Sequence, residues 1–295
     1  MSVKSAEICA MSALLNCYEY NPTWGDNLHK NEFSSLRKIA ITLFDDTFSS
    51  HLSNEEGRIF YLLCKKFLNH INSFYTVLNG TNFNDVVENS EQIDHSSAKI
   101  LLRSSFESFL VMNHLFFEKP SLTEIRVLLY KHSGLKERQD KLPAKNLSAD
   151  LIAKRKGESE LIKDIEASIH NVSSSINSDQ KYIRKALKEG WSAGNGWVKL
   201  GKKSTLANSY VETVYPYLCG YSHSGYESLM QLASDENSCN VADKDKQSIL
   251  YFYASYLVAS FCKLYCSHSE VADCDSVENI NEIEVFLQKY RNVYS

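Results

Sequence analysis

Arg103 and Glu107 are the only two charged residues in the stretch 100–117, ILLRSSFESFLVMNHLFF. A helix that is apolar nearly all round is buried on most faces. Arg103, Glu107, Leu110 and His114 share one stripe at helical spacing, with Leu102, Phe106 and Phe109 on one side and Val111 and Leu115 on the other. The sequence therefore predicts that two opposite charges sit together inside the protein. Burying them costs several kcal/mol unless good geometry and further hydrogen bonds offset it. The Arg-before-Glu order is also the weaker one for a surface pair. Two roles fit such a pair: a structural clamp that orients neighbouring helices, or the wall of a polar site in which Arg holds an anion and a carboxylate or imidazole moves a proton.

Three other segments carry candidate partners. In IRVLLYKHSGLKERQDK, Arg126 and Tyr130 share a helix face and His132 follows. In VYPYLCGYSHSGYESL, Tyr217, Tyr221, Ser222 and His223 crowd a turn bracketed by Gly220 and Gly225, and Pro216 predicts a kink or break just before it. The third segment, 181–203, has seven basic residues against the single acid Glu189, while the C-terminal part from 227 onward is net acidic. Lys185, Lys199, Lys202 and Lys203 with Trp191 and Trp197 around the glycines of WSAGNGW could track a nucleic-acid backbone and stack bases. The same loop could equally use its tryptophans to anchor itself to the body.

These residues need long helices to position them. With 4 Pro and 11 Gly in 295 residues, the chain lacks the turn chemistry of sandwiches and barrels. Periodicity predicts helices near 3–18, 31–49, 54–78, 95–118, 121–141, 147–175, 179–189, 205–232, 242–268 and 277–292. The expected architecture is an all-α multi-helix bundle with a central, heavily buried helix. It reads as one domain over 1–295, with a core bundle over 54–268 and the helices of 3–49 and 277–292 as elaborations. The uncharged run 248–262, SILYFYASYLVASFC, is too short and too hydroxylated for a membrane span and predicts a buried core helix.

Composition narrows function further. The 43% hydrophobic, 23% charged chain has a net charge of −4 and describes a soluble globular protein. Its eight cysteines sit mostly in apolar helical stretches, which predicts reduced core residues and a cytoplasmic setting. Cys262, Cys266, His268 and Cys274 match no usual zinc spacing, and neither a metal nor a cofactor is expected. Motifs of serine hydrolases, dinucleotide-binding folds and P-loop enzymes are absent.

RSSFESF (Arg103, Glu107), IRVLLYKHSGLKERQDKL (Arg126, Tyr130) and YPYLCGYSHSGY (Tyr217, His223) together resemble a loose group of bacterial all-helical proteins of unknown function. The shared features are an R-x3-E in an apolar helix, a following helix with Arg and Tyr, and a late Y-x3-S-x3-H-like segment, although here Ser222 directly precedes His223. That group is similar in outline to the HEPN superfamily, whose members include metal-independent endoribonucleases of toxin and antiphage systems. The R-x4–6-H pattern of those nucleases matches Arg126 through His132. What the resemblance implies is RNA cleavage, with Arg103, Glu107, Arg126 and His223, or Arg126 and His132, around the scissile phosphate. The alternative is a non-catalytic binding or adaptor protein, acting with a partner protein or as a homodimer, in which the Arg–Glu–His set is a clamp.

Overall fold

The computed structural model of the chain describes residues 28–141, 148–175, 180–222, 225–236, 240–268 and 277–294. The helix expected over 3–18 lies outside them, as does His223. Eleven α-helices occupy the described residues: α1 Leu28–Thr47, α2 Glu55–Leu78, α3 His95–Met112, α4 Thr123–Lys141, α5 Ala149–Ser175, α6 Gln180–Glu189, α7 Trp197–Lys202, α8 Asn208–Ser222, α9 Tyr226–Glu236, α10 Asn240–His268 and α11 Val277–Tyr294. The fold is all-α, and the β pairing among these residues is a single antiparallel bridge between Thr81 and Gln92.

Local chemistry sets several boundaries. Asn54 caps α2 by accepting a hydrogen bond from the Gly57 amide at 2.8 Å, and Glu55 and Glu56 complement the helix dipole in the first turn. Asp94 caps α3 in the same way through the Ser97 amide. α3 does not stop at Met112 but widens into a π-turn, Asn113–Phe117, in which the Glu118 amide bonds the Asn113 carbonyl at 2.9 Å. Such single-turn interruptions of α-helices are frequent at functional sites. Pro120 then opens a short 3-10 turn that leads into α4.

The helix expected over 205–232 is two helices, and the break is not where Pro216 predicted it. α8 runs through Pro216 to Ser222, and α9 begins after Gly225. Pro216 is exposed, so its ring and its missing N–H fall on the solvent side of the helix. α7 was expected as loop. Its six residues follow Gly196 and are held by packing, with Leu200 and Gly201 buried against α8.

The principal core joins α1, α2, α3, α8, α10 and α11 around Phe33, Phe67, Phe106, Tyr210, Phe261 and Tyr290. α10 is its axis, and every residue from 250 to 262 is buried. The run read as too short for a membrane is therefore a core helix: its apolar window has mean hydropathy 1.3 and lies 83% inside the fold. Cys64 and Cys262 are free thiols packed in this core. α1 and α11, expected as elaborations, contribute Phe33, Leu36, Ile283 and Leu287 to it. The unit with a separate core is internal to the chain: Ile125, Leu129, Ile165, Ile169, Ile183 and Ala186 join α4, α5 and α6.

Candidate functional site

Arg103 and Glu107 meet as expected, with Arg103 Nε donating to Glu107 Oε1 at 2.9 Å. They are not sealed in the interior. Their side chains retain 18% and 25% exposure at the seam between α3 and α8. The Tyr215 hydroxyl donates to the same carboxylate oxygen at 2.8 Å, and burial together with Glu107 pushes its ionisation well above the ordinary tyrosine range. One turn earlier on α3, the buried Lys99 ammonium lies over the Tyr221 ring at 3.6 Å and the Tyr217 ring at 4.9 Å. Tyr217 therefore stands at this seam as a cation-binding face for Lys99.

Arg126 belongs to a different set. It is 4% exposed, its Nη1 donates to the His114 carbonyl at 2.5 Å, and its Nη2 lies 3.3 Å from Glu118 Oε2. His114 Nδ1 donates to the same Glu118 oxygen at 2.8 Å. Because a carboxylate only accepts, Nδ1 carries the proton, and Nε2 faces the Tyr182 hydroxyl at 3.4 Å. Burial holds the His114 imidazole below its ordinary range: the pull of Glu118 upward is outweighed by burial with Arg126 and Lys203. Glu118 is itself held below the usual carboxylate range. Burial pushes it up, but His114, Arg126 and Lys203 together pull it down further.

The π-turn makes this set. It places His114 and Glu118 one turn apart just where the chain leaves α3, and the Pro120 turn folds α4 back so that Arg126 reaches both. Trp191 packs on the His114 ring at 5.5 Å, with Tyr130 at 5.6 Å and Trp197 at 6.2 Å from the Trp191 ring. Lys203 Nζ lies 3.9 Å from Glu118 Oε1. The glycine-rich turn thus anchors the α6–α7 segment to the body. Gly190 and Gly194 take positive φ there, a conformation glycine adopts without strain.

His132 joins neither set. Its Nε2 donates to Glu166 Oε1 on α5 at 2.9 Å. Six residues along a helix turn side chains about 120° apart, so Arg126 and His132 face different neighbours. Eleven residues of helix, about 16 Å, separate Arg103 from His114. Of the set Arg103, Glu107, Arg126 and His223, the described members are therefore divided between two local clusters and His223 lies outside the described residues, while the alternative pair, Arg126 and His132, is likewise split.

The basic segment is mostly on the surface. Lys185, Lys199, Lys202 and Lys203 are exposed, as are Lys181, Arg184 and Lys188. Lys185 pairs with Glu189 at 3.7 Å, and Lys202 pairs with Glu212. Beside Trp191, an open groove of about 520 Å³ runs along α4, lined by Ile59, Tyr130, Ser133, Leu135, Arg138 and Leu161. No group of three potential metal ligands converges among the described residues.

Sequence reasoning missed Glu118, Tyr182 and Lys99. The i, i+4 relation of His114 to Glu118 was there to be read, whereas Tyr182 meets His114 only through packing of residues 68 positions apart.

Fold and site together define a helical bundle with internally paired charge clusters at its helix seams and a basic, tryptophan-bearing segment on its surface. The chain belongs to a family of unknown function, DUF5677, whose model matches residues 59–240 and so spans every cluster just described. No curated protein and no solved structure matches it.

Proposed function

We propose that this protein is an RNA-contacting helical binding protein, with the α6–α7 segment as its contact surface and the Arg–Glu–His sets as clamps. One contrast carries the reading. Arg103, Arg126, His114 and His132 each have an internal carboxylate partner, whereas Arg184, Lys188 and Lys199 stand exposed without an ion pair among the described residues. Exposed cations near half-buried aromatic rings suit a polyanion whose bases can stack.

Anisotropy of a labelled single-stranded RNA tests it. Binding is expected to weaken linearly on log axes with salt, and Lys188→Glu with Lys199→Glu should weaken it and flatten that slope by about one per lost phosphate contact. No binding at low salt would remove the reading. The clamp role has its own measurement: Arg126→Ala should cost about 3–5 kcal/mol of unfolding free energy, because it takes the buried guanidinium from both Glu118 and the His114 carbonyl and leaves Glu118 to His114 and Lys203.

A second reading, a HEPN-type metal-independent endoribonuclease of a cytoplasmic toxin or antiphage system, is favoured by the solvent access that Arg103 and Glu107 retain beside Tyr215. Its chemistry would need His223 as the neutral-range base for 2′-OH attack, with Arg103 on the phosphate. Incubation with tRNA in EDTA separates the readings. Cleavage that is lost in His223→Ala at unchanged melting temperature supports the enzyme, and intact RNA in every preparation leaves the binding reading alone.

A further inference from the structure

We propose that the chain forms a two-fold dimer through antiparallel pairing of α2, each copy laying its 81–92 loop over the basic half of the partner's α2. The loop is built rather than slack. Thr81 and Gln92 close its neck with two backbone hydrogen bonds of 2.8 Å. Inside it, the Asn84 side chain accepts from the Ser90 amide and hydroxyl and donates to Glu91, while the Phe83 amide bonds Ser90 Oγ. Yet this ordered loop holds Phe83, Val86 and Val87 out in solvent at 57%, 80% and 58% exposure. Contiguous exposed apolar groups on an ordered support mark an interaction surface.

Charge identifies what covers it. From 57 to 84 the chain has no acidic residue and three basic ones, Arg58, Lys65 and Lys66; from 85 to 94 it has Asp85, Glu88, Glu91 and Asp94 and no Lys or Arg. On α2, Arg58, Leu62, Lys65, Lys66, Asn69 and Ser73 recur at helical spacing on one exposed face. None of the three cations makes an ion pair among the described residues. Leu62, in their midst, is 51% exposed. So one helix carries an apolar spot ringed by cations near its start, and its end leads into an apolar tip ringed by anions.

The loop cannot satisfy its own helix. About 24 Å of helix separates Leu62 from Leu78, where the loop begins, and both Leu62 and Val86 remain exposed. A second copy running the opposite way satisfies both ends at once. With the two-fold axis crossing α2 near Ser73, whose small side chain permits close approach, each loop tip falls over the partner's Leu62 and the exposed Asp85 and Glu88 carboxylates of each fall among the partner's Arg58, Lys65 and Lys66. This is the self-complementary arrangement that a two-fold interface requires. An RNA or an anionic membrane is a poor occupant for a loop whose charges are all negative.

Charge reversal tests the pairing on the full chain, without RNA, by sedimentation velocity. Wild type is expected to run at twice the monomer mass, and both Asp85→Lys/Glu88→Lys and Lys65→Glu/Lys66→Glu, all exposed positions, should run as monomers with unchanged circular dichroism. Mixed together, these two variants should recover the dimer, because each reversed loop then faces a helix of opposite charge. A monomeric wild type, variants that still dimerise, or a mixture that stays monomeric would each overturn the proposal. RNA binding by α6–α7 involves other residues, so either result leaves that reading to its own test.

Discussion

At the scale of single residues, the His114–Glu118 pair ties stability to acid in a definite direction. His114 binds a proton less readily in the folded protein than in the unfolded chain, where an imidazole titrates near about 6.5. As pH falls through that value the unfolded state takes up more protons, so stability declines until the lower folded value is passed. Glu118, also held low, adds a further loss as pH falls below the ordinary carboxylate range and through its own folded value. Urea unfolding at steps from about pH 7.5 to 5.5 should therefore show falling stability, with a shallower slope in His114→Gln. Identical slopes in the two proteins would show that this imidazole stays charged or is hydrated in the native state. Arg103 and Glu107 were legible as a pair because residues four apart on a helix are neighbours by geometry. Their shared partner Tyr215 was not, since it arrives from a residue 108 positions away.

Elements show where glycine matters. Two helical glycines make opposite predictions. Gly201 on α7 lies directly against Val211 of α8, where an added Cβ would meet Val211 Cγ1 at 2.4 Å. Gly134 lies within α4, and nothing stands within 4 Å of an added Cβ. Gly201→Ala should therefore destabilise by about 1–3 kcal/mol through overpacking. Gly134→Ala should stabilise by about 0.5–1 kcal/mol by restricting the unfolded chain. Chemical denaturation of both variants reads the two signs, and a stabilising Gly201→Ala would mean that α7 does not pack closely on α8. Among the glycines of 190–196, Gly190 and Gly194 take positive φ, whereas Gly196 lies at φ −72° and precedes α7. The close approach at Gly201 had no sequence signal, because spacing within α7 says nothing about which helix lies over it.

For the whole molecule, two cores predict uneven stability. α10 is buried at every residue from 250 to 262, whereas α5 buries Glu158, Ile165, Ile169 and Ser173 across its 27 residues. Local opening costs least where few apolar contacts hold a segment. Hydrogen exchange followed by mass spectrometry should find α5 amides exchanging at least tenfold faster than those of α10. Equal protection would mean that the α4–α6 unit and the main core unfold as one. The family model matches 59–240, yet the main core also needs α1 and α11 from outside that segment. Their role escaped the sequence reading because an amphipathic helix at either end of a chain looks the same whether it closes a core or decorates one.

The sequence by itself determined most of the helical segments, though not α7 or the division of 205–232, and it determined that 250–262 is a buried helix: apolar periodicity and caps are local properties, read within one or two turns. It also determined that Arg103 and Glu107 would touch. Tertiary structure alone decided which polar groups share a cluster. Arg126 chose Glu118 and His114 over His132 because a π-turn and a proline turn fold α4 back onto the end of α3. That choice depends on the packing of distant elements, and no spacing along the chain encodes it.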